Sequence, residues 1–213
     1  MHDILNTLFV LILTLNLFAL GNGRILSVIR IVAAQGLILG IIPLLMHRTL
    51  AIPQIISSLA AVSLKAVIIP LMMTKALRDV KIKREMEPLI GLLPSTILGG
   101  LATAITFLAF AQWNTAMEEQ ASLIIPTSIS TVIAGFILIT TRYKALSQVL
   151  GYLVLENGIY IFSLLLIEAI PLVVEMGMLL DLFVSVFVVS IITNHINRAF
   201  SSLDTRKLAT LKE

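Results

Sequence analysis

The stretch ILNTLFVLILTLNLFAL-GNGR-ILSVIRIVAAQGLILGIIPLLM, residues 4–46, decides the fold. Two long apolar runs stand back to back around the polar turn Gly21-Asn22-Gly23-Arg24. A helix needs about 20 mainly apolar residues to cross roughly 30 Å of hydrocarbon, and both runs meet that length. Strict alternation is absent, and each run is too long for a tilted barrel strand of about 10 residues. The first run is not read as a signal peptide: Met-His-Asp gives it no basic leader, and the turn feeds directly into another span.

Working outward, five further segments pass the same test: 54–77, 89–112, 123–141, 146–167 and 172–193. The sequence therefore predicts an all-α, polytopic membrane protein of about seven transmembrane helices. Composition agrees: 58% hydrophobic, 13% charged and a mean hydropathy of +1.04, against about 45–50% apolar and about 25% charged in soluble domains. The complete absence of cysteine excludes a disulfide framework, a Cys-ligated zinc site and thiolate-held iron–sulfur clusters. His2, His47 and His195 are scattered, with no acidic partner at metal-ligand spacing. No metal or cofactor is expected, and the basic balance is not that of a nucleic-acid binder, because the charges sit between apolar runs.

Prolines punctuate the chain. Pro53 and Pro171 fall in the first turn of their spans, where a missing N–H costs nothing, and Pro94 and Pro126 fall near a start. Pro43 and Pro70 lie inside spans and predict local kinks. Orientation follows from Lys and Arg in the short loops. Arg24, Arg30, Lys75, Arg78, Lys81, Lys83, Arg84, Arg142, Lys144, Arg198, Arg206, Lys207 and Lys212 share one side of a seven-span layout, and Arg48 stands alone on the other. The N-terminus is thus expected outside and the C-terminus in the cytoplasm of a multi-pass plasma (inner) membrane protein.

The two ends of the chain resemble each other. Ala51-Ile52-Pro53 opens the third span and Ala169-Ile170-Pro171 the seventh; Ala34-Gln35-Gly36-Leu37-Ile38 precedes the first and Leu155-Glu156-Asn157-Gly158-Ile159 the second. The expected organisation is a three-helix repeat over 1–80, a basic loop plus linker helix over 81–120, a second repeat over 121–200 and a cytoplasmic tail over 201–213. One extra crossing between the units makes them parallel repeats.

At about 1.5 Å per residue, Glu156 and Asp181 lie roughly 15 Å into their spans, and Lys65 and Gln35 reach similar depths. A charge there costs about 2.5–3.5 kcal/mol on insertion scales, so such groups face a bundle interior and have partners. Desolvation disfavours the charged form of a carboxyl group and a neighbouring ammonium favours it; groups held between the two make proton relays. Glu156, Asp181 and Lys65 are accordingly the expected relay residues. Gln35, beside Gly36-x-x-x-Gly40, serves either relay or helix packing, and the same choice is open for Glu175, Tyr152 and Tyr160. For Glu156 and Asp181 the plain structural reading is an ion pair with a basic residue.

The stretch Gln148-Val149-Leu150-Gly151-Tyr152-Leu153-Val154-Leu155-Glu156-Asn157-Gly158, the segment Val174-Glu175-Met176-Gly177 leading to Asp181, Lys65-Ala66-Val67-Ile68-Ile69-Pro70-Leu71 and the ending Leu208-Ala209-Thr210-Leu211-Lys212 resemble the hydrogenase-4 component E family. These are membrane subunits of formate hydrogenlyase-type and related group 4 NiFe hydrogenases. The last three spans also resemble the K subunit of complex I and the C subunit of multisubunit Na⁺/H⁺ antiporters, in which two helix-borne glutamates belong to a central hydrophilic axis. Glu156 matches the first glutamate; Asp181 stands at the second, one methylene shorter, and Gln35 occupies the corresponding place in the first repeat.

The resemblance implies a non-catalytic subunit of an oxidoreductase complex. Its partners would be antiporter-like and other membrane subunits, cytoplasmic NiFe and Fe–S subunits reached through the complex, and membrane lipid. Its midplane carboxylates would couple electron transfer to proton or Na⁺ movement. The alternatives are a subunit of a multisubunit cation/proton antiporter and a passive membrane scaffold.

Overall fold

A computed structural model describes residues 2–46, 52–79, 88–111 and 123–166. Every described apolar run is helical, because a backbone in lipid must satisfy its own polar groups. The helices are α1 (His2–Gly21), α2 (Ile25–Met46), α3 (Ile52–Val62), α4 (Ile69–Asp79), α5 (Leu92–Ala111), α6 (Ile124–Thr141) and α7 (Ala145–Ser163). α3 and α4 are halves of one rod joined by a π-helical turn, Ser63–Ile68, so six rods stand among the described residues. A 3₁₀ turn, Leu164–Leu166, ends α7. Five rods are long and apolar enough to cross a membrane, which makes this a multi-pass membrane protein. The predicted seventh span, 172–193, lies outside the described residues.

The breaks follow local chemistry. Asn22 Oδ1 accepts from the Arg24 N–H at 3.0 Å and shapes the turn between α1 and α2. At Pro70 the expected kink takes the form of the π turn. A helical proline has no N–H and its ring clashes with the carbonyl four residues back. The widened turn absorbs this, with the Ile69 N–H bonding the Leu64 carbonyl five residues back. α5 starts three residues later than the apolar run, since the Leu89 N–H bonds the Thr141 carbonyl at 2.8 Å and Gly91 takes φ of 77°. Pro94 then sits in the first turn of α5.

α2 is the central rod, packed against α1, the α3–α4 rod and α7, while α6 and α7 form the tightest pair. α5 leans on α1 and α6, burying Ser95, Gly99 and Thr106. Its outer side carries exposed Leu93, Ile97, Leu101 and Leu108. The buried apolar side chains form two clusters. One gathers Leu20, Val28, Val32, Ile69, Leu138, Leu150 and Val154 with their neighbours. The other gathers Phe9, Ile12, Ile38, Ile124, Tyr160 and Ile161. On each rod that contributes to both, the clusters are separated by polar residues: Asn16 on α1, Gln35 on α2, Thr127 and Thr131 on α6, Glu156 and Asn157 on α7.

Candidate functional site

The site begins with how closely the helices approach. A Cβ on Gly158 would lie 2.6 Å from the Val132 nitrogen and 2.9 Å from the Ser128 carbonyl oxygen, and one on Gly135 would strike the Leu155 backbone. These glycines seat α7 on α6 and fix which way Glu156 and Asn157 point. On the other side of the site, a Cβ on Gly36 would lie 2.7 Å from Lys65 Cβ and 2.9 Å from its carbonyl carbon. The π turn is thereby pressed against α2. Gly36 and Gly40 are a small-xxx-small packing face, with Gly40 set against Val62.

Lys65 Nζ lies 2.9 Å from Glu156 Oε1, with the lysine side chain 14% and the glutamate side chain 3% exposed. The ammonium also sits 4.9 Å from the centroid of the Tyr160 ring, within cation–π range. Beside the pair is a cavity about the size of one water molecule, lined by Val32, Lys65, Ile69, Leu153, Glu156 and Asn157. A buried pair is strongly asymmetric in energy: desolvation offsets most of its attraction, yet removing one partner strands the other at a cost of about 3–5 kcal/mol.

Next to the pair runs a chain of buried amides. Asn16 Nδ2 donates to Thr131 Oγ1 at 2.8 Å, Gln35 Nε2 to Asn16 Oδ1 at 2.8 Å, and Asn157 Nδ2 to Gln35 Oε1 at 3.3 Å. The polarity of this chain is fixed at one end. Thr131 gives its only hydroxyl proton to the Thr127 carbonyl at 2.7 Å, so Asn16 has to donate to it. The Asn16 oxygen then faces Gln35, and the Gln35 oxygen faces Asn157. A second polar contact, between Thr106 Oγ1 and Ser130 Oγ at 2.7 Å, ties α5 to α6.

The structure brings Lys65, Glu156 and Tyr160 together and places Gln35 beside them, bonded to Asn157. Tyr152 packs against the apolar cluster that holds Leu150 and Val154. Asp181 and Glu175 lie outside the described residues. Three contributors carried no sequence signal beyond being polar within apolar spans: Asn16, Thr131 and, as the partner of Gln35, Asn157.

Arg142, counted among the orientation charges, lies between α6 and α7 and is fully buried. Its Nη2 donates to the Leu20 carbonyl at 2.7 Å, closing the C-terminus of α1. Its own carbonyl accepts from Gln148 Nε2 at 3.0 Å. Burial holds its guanidinium below the ordinary arginine value. Among the described residues no group of three or more His, Asp or Glu could hold a metal ion.

These features define an all-helical, multi-pass membrane protein with a polar layer inside its bundle. "Uncharacterized protein Rv0085" of Mycobacterium tuberculosis is 30% identical to it over 192 residues, spanning 88% of this chain and 86% of that protein. The chain belongs to the family of that mycobacterial protein. It is more distantly similar to hydrogenase-4 component E of Escherichia coli K12, 25% identical over 158 residues, which span 74% of this chain and 73% of that protein. The same protein of Shigella flexneri matches equally. No family model matches the chain, and no solved structure matches it.

Proposed function

We propose that this chain is a non-catalytic membrane-arm subunit of a complex I-like, energy-converting NiFe hydrogenase, in which the Lys65–Glu156 pair handles protons. The carrying observation is that pair: an ammonium and a carboxylate 2.9 Å apart in a polar layer between two apolar clusters. A carboxyl group can take up a proton as its lysine partner turns away, and release it when the partner returns. One carboxyl at mid-depth cannot span the barrier, so Asp181 and groups on neighbouring subunits complete the relay. Distant similarity to hydrogenase-4 component E supports the choice of complex. In this reading the chain lies in the plasma (inner) membrane with seven spans, N-terminus outside and C-terminus inside, and its partners are antiporter-like membrane subunits and, through them, the NiFe and Fe–S subunits.

The amide chain supports the expected duplication. It joins α1 to α6 at Asn16–Thr131 and α2 to α7 at Gln35–Asn157, so first helix meets first helix and second meets second.

The test is Glu156→Gln and Lys65→Met in the assembled complex, scored in inverted vesicles for proton or Na⁺ gradient formation and, separately, for hydrogenase turnover. Turnover and assembly persist while gradient formation drops by about tenfold or more. Gradients of normal size in both variants reduce the chain to a scaffold. Neighbouring genes for cation/proton antiporter subunits, with none for a NiFe large subunit, would transfer the same relay to an antiporter.

A further inference from the structure

Gln35-Gly36 on α2 and Glu156-Asn157 on α7 are two dipeptides interlocked through a third rod. Gln35 Oε1 accepts from Asn157 Nδ2 at 3.3 Å. Gly36, the next residue, presses against the backbone of Lys65, where a Cβ would come within 2.9 Å of its carbonyl carbon. Lys65 Nζ returns to Glu156 Oε1 at 2.9 Å. The three contacts close a ring from α7 to α2, from α2 to the π turn and back to α7. Neighbouring residues leave a helix about 100° apart, so a roll of α7 that moves Asn157 also moves Glu156. A contact that holds Asn157 therefore holds the base from which the Glu156 side chain reaches Lys65.

Gln35 is itself held from behind. It is fully buried, and its Nε2 is committed to Asn16. The single hydroxyl proton of Thr131 fixes the direction of Asn16 and hence the direction of Gln35. Its amide therefore presents only its oxygen to Asn157. An amide has no proton to give up near neutral pH, so Gln35 can aim a titrating group but cannot replace one.

We propose that Gln35 is the positioning residue of the Lys65–Glu156 pair, keeping the carboxylate at contact distance from the ammonium through Asn157. Its importance for ion coupling rests on the relay reading above; its effect on the pair does not.

The experiment is infrared difference spectroscopy on the full-length chain in its membrane complex, with the Glu156 carboxyl band identified by its loss in Glu156→Gln. Gln35→Met keeps the length and removes both hydrogen bonds, and it shifts or broadens the band. Gln35→Glu, whose neutral carboxyl can donate to Asn16 and accept from Asn157, keeps the Glu156 band at its wild-type position. Thr106→Val removes the hydroxyl contact between α5 and α6 and leaves the band unmoved. An unshifted band in Gln35→Met, or an equal shift in Thr106→Val, overturns the proposal. Should Gln35→Met fail to assemble, Gln35→Asn, one methylene short of Asn157, carries the same test with the same outcomes. If the band responds to Gln35 while Glu156→Gln leaves gradients intact, the positioning role stands and the relay falls.

Discussion

Asn16 ties the amide chain to α6, since it donates to Thr131 and accepts from Gln35. Asn16→Leu keeps the forked shape of the side chain while deleting the bonds to Thr131 and Gln35, each 2.8 Å long. Interhelical hydrogen bonds in membranes average about 0.6 kcal/mol and reach about 1.7. Two of them amount to about 1.2 kcal/mol, with an upper bound near 3.4 kcal/mol. Thr131 loses only an acceptor contact, since its proton already goes to Thr127, whereas Gln35 is left with a buried, unsatisfied donor, which pulls the expected loss above the average. Asn157→Leu removes the 3.3 Å bond to Gln35 and should cost about half as much. The assay is reversible unfolding of the purified protein in bicelles, followed by steric trapping. Both substitutions act through Gln35, so the double variant should lose less than the sum of the two. Strict additivity, or a larger loss from Asn157→Leu than from Asn16→Leu, would show that the amides do not act in series.

Other outcomes follow from the same geometry. Gly36→Ala drives a methyl group into the Lys65 backbone and should destabilise the bundle by about 1–3 kcal/mol, while Gly100→Ala, with nothing within 4 Å of the new carbon, should be silent in the same unfolding assay. Lys65→Met strands a buried carboxylate and should lose about 3–5 kcal/mol; adding Glu156→Gln should recover most of it, and a double variant no better than the single one would deny the ion pair. Arg142→Met frees the Leu20 carbonyl, so hydrogen exchange at the C-terminal turn of α1 should quicken by about tenfold, whereas Arg24→Met should leave it unchanged.

Five of the seven expected spans are found as long apolar helices, α7 being a helix too polar to count among them, and apolar composition throws each polar group into relief. Depth counting alone put Lys65, Gln35 and Glu156 in one layer; Lys65 and Glu156 touch, and Gln35 bonds the residue after Glu156. Pairing was not legible: nothing in the sequence says that the Glu156 carboxylate meets Lys65 while Asn157, one residue on, meets Gln35. That depends on glycine contacts between rods far apart in the chain. Asn16 escaped notice because a lone neutral amide barely lowers the hydropathy of an otherwise apolar run. Arg142 stands in the loop where the sequence put it, but its burial was not legible, because the segment paired with the end of α6, Pro88 and Leu89, is far from it in the chain. Ahead of Pro70, where a kink was expected, stands a π turn, since sequence locates the missing N–H but not how the backbone distributes the mismatch.

The one-way run of amides from Asn157 to Thr131 has an electrical consequence. Passing a proton along it would require every link to rotate together, because reversing any one sets donor against donor or oxygen against oxygen. Among the described residues, that run therefore holds its donors and acceptors in one fixed order between α7 and α6 rather than offering a proton a path through its amides.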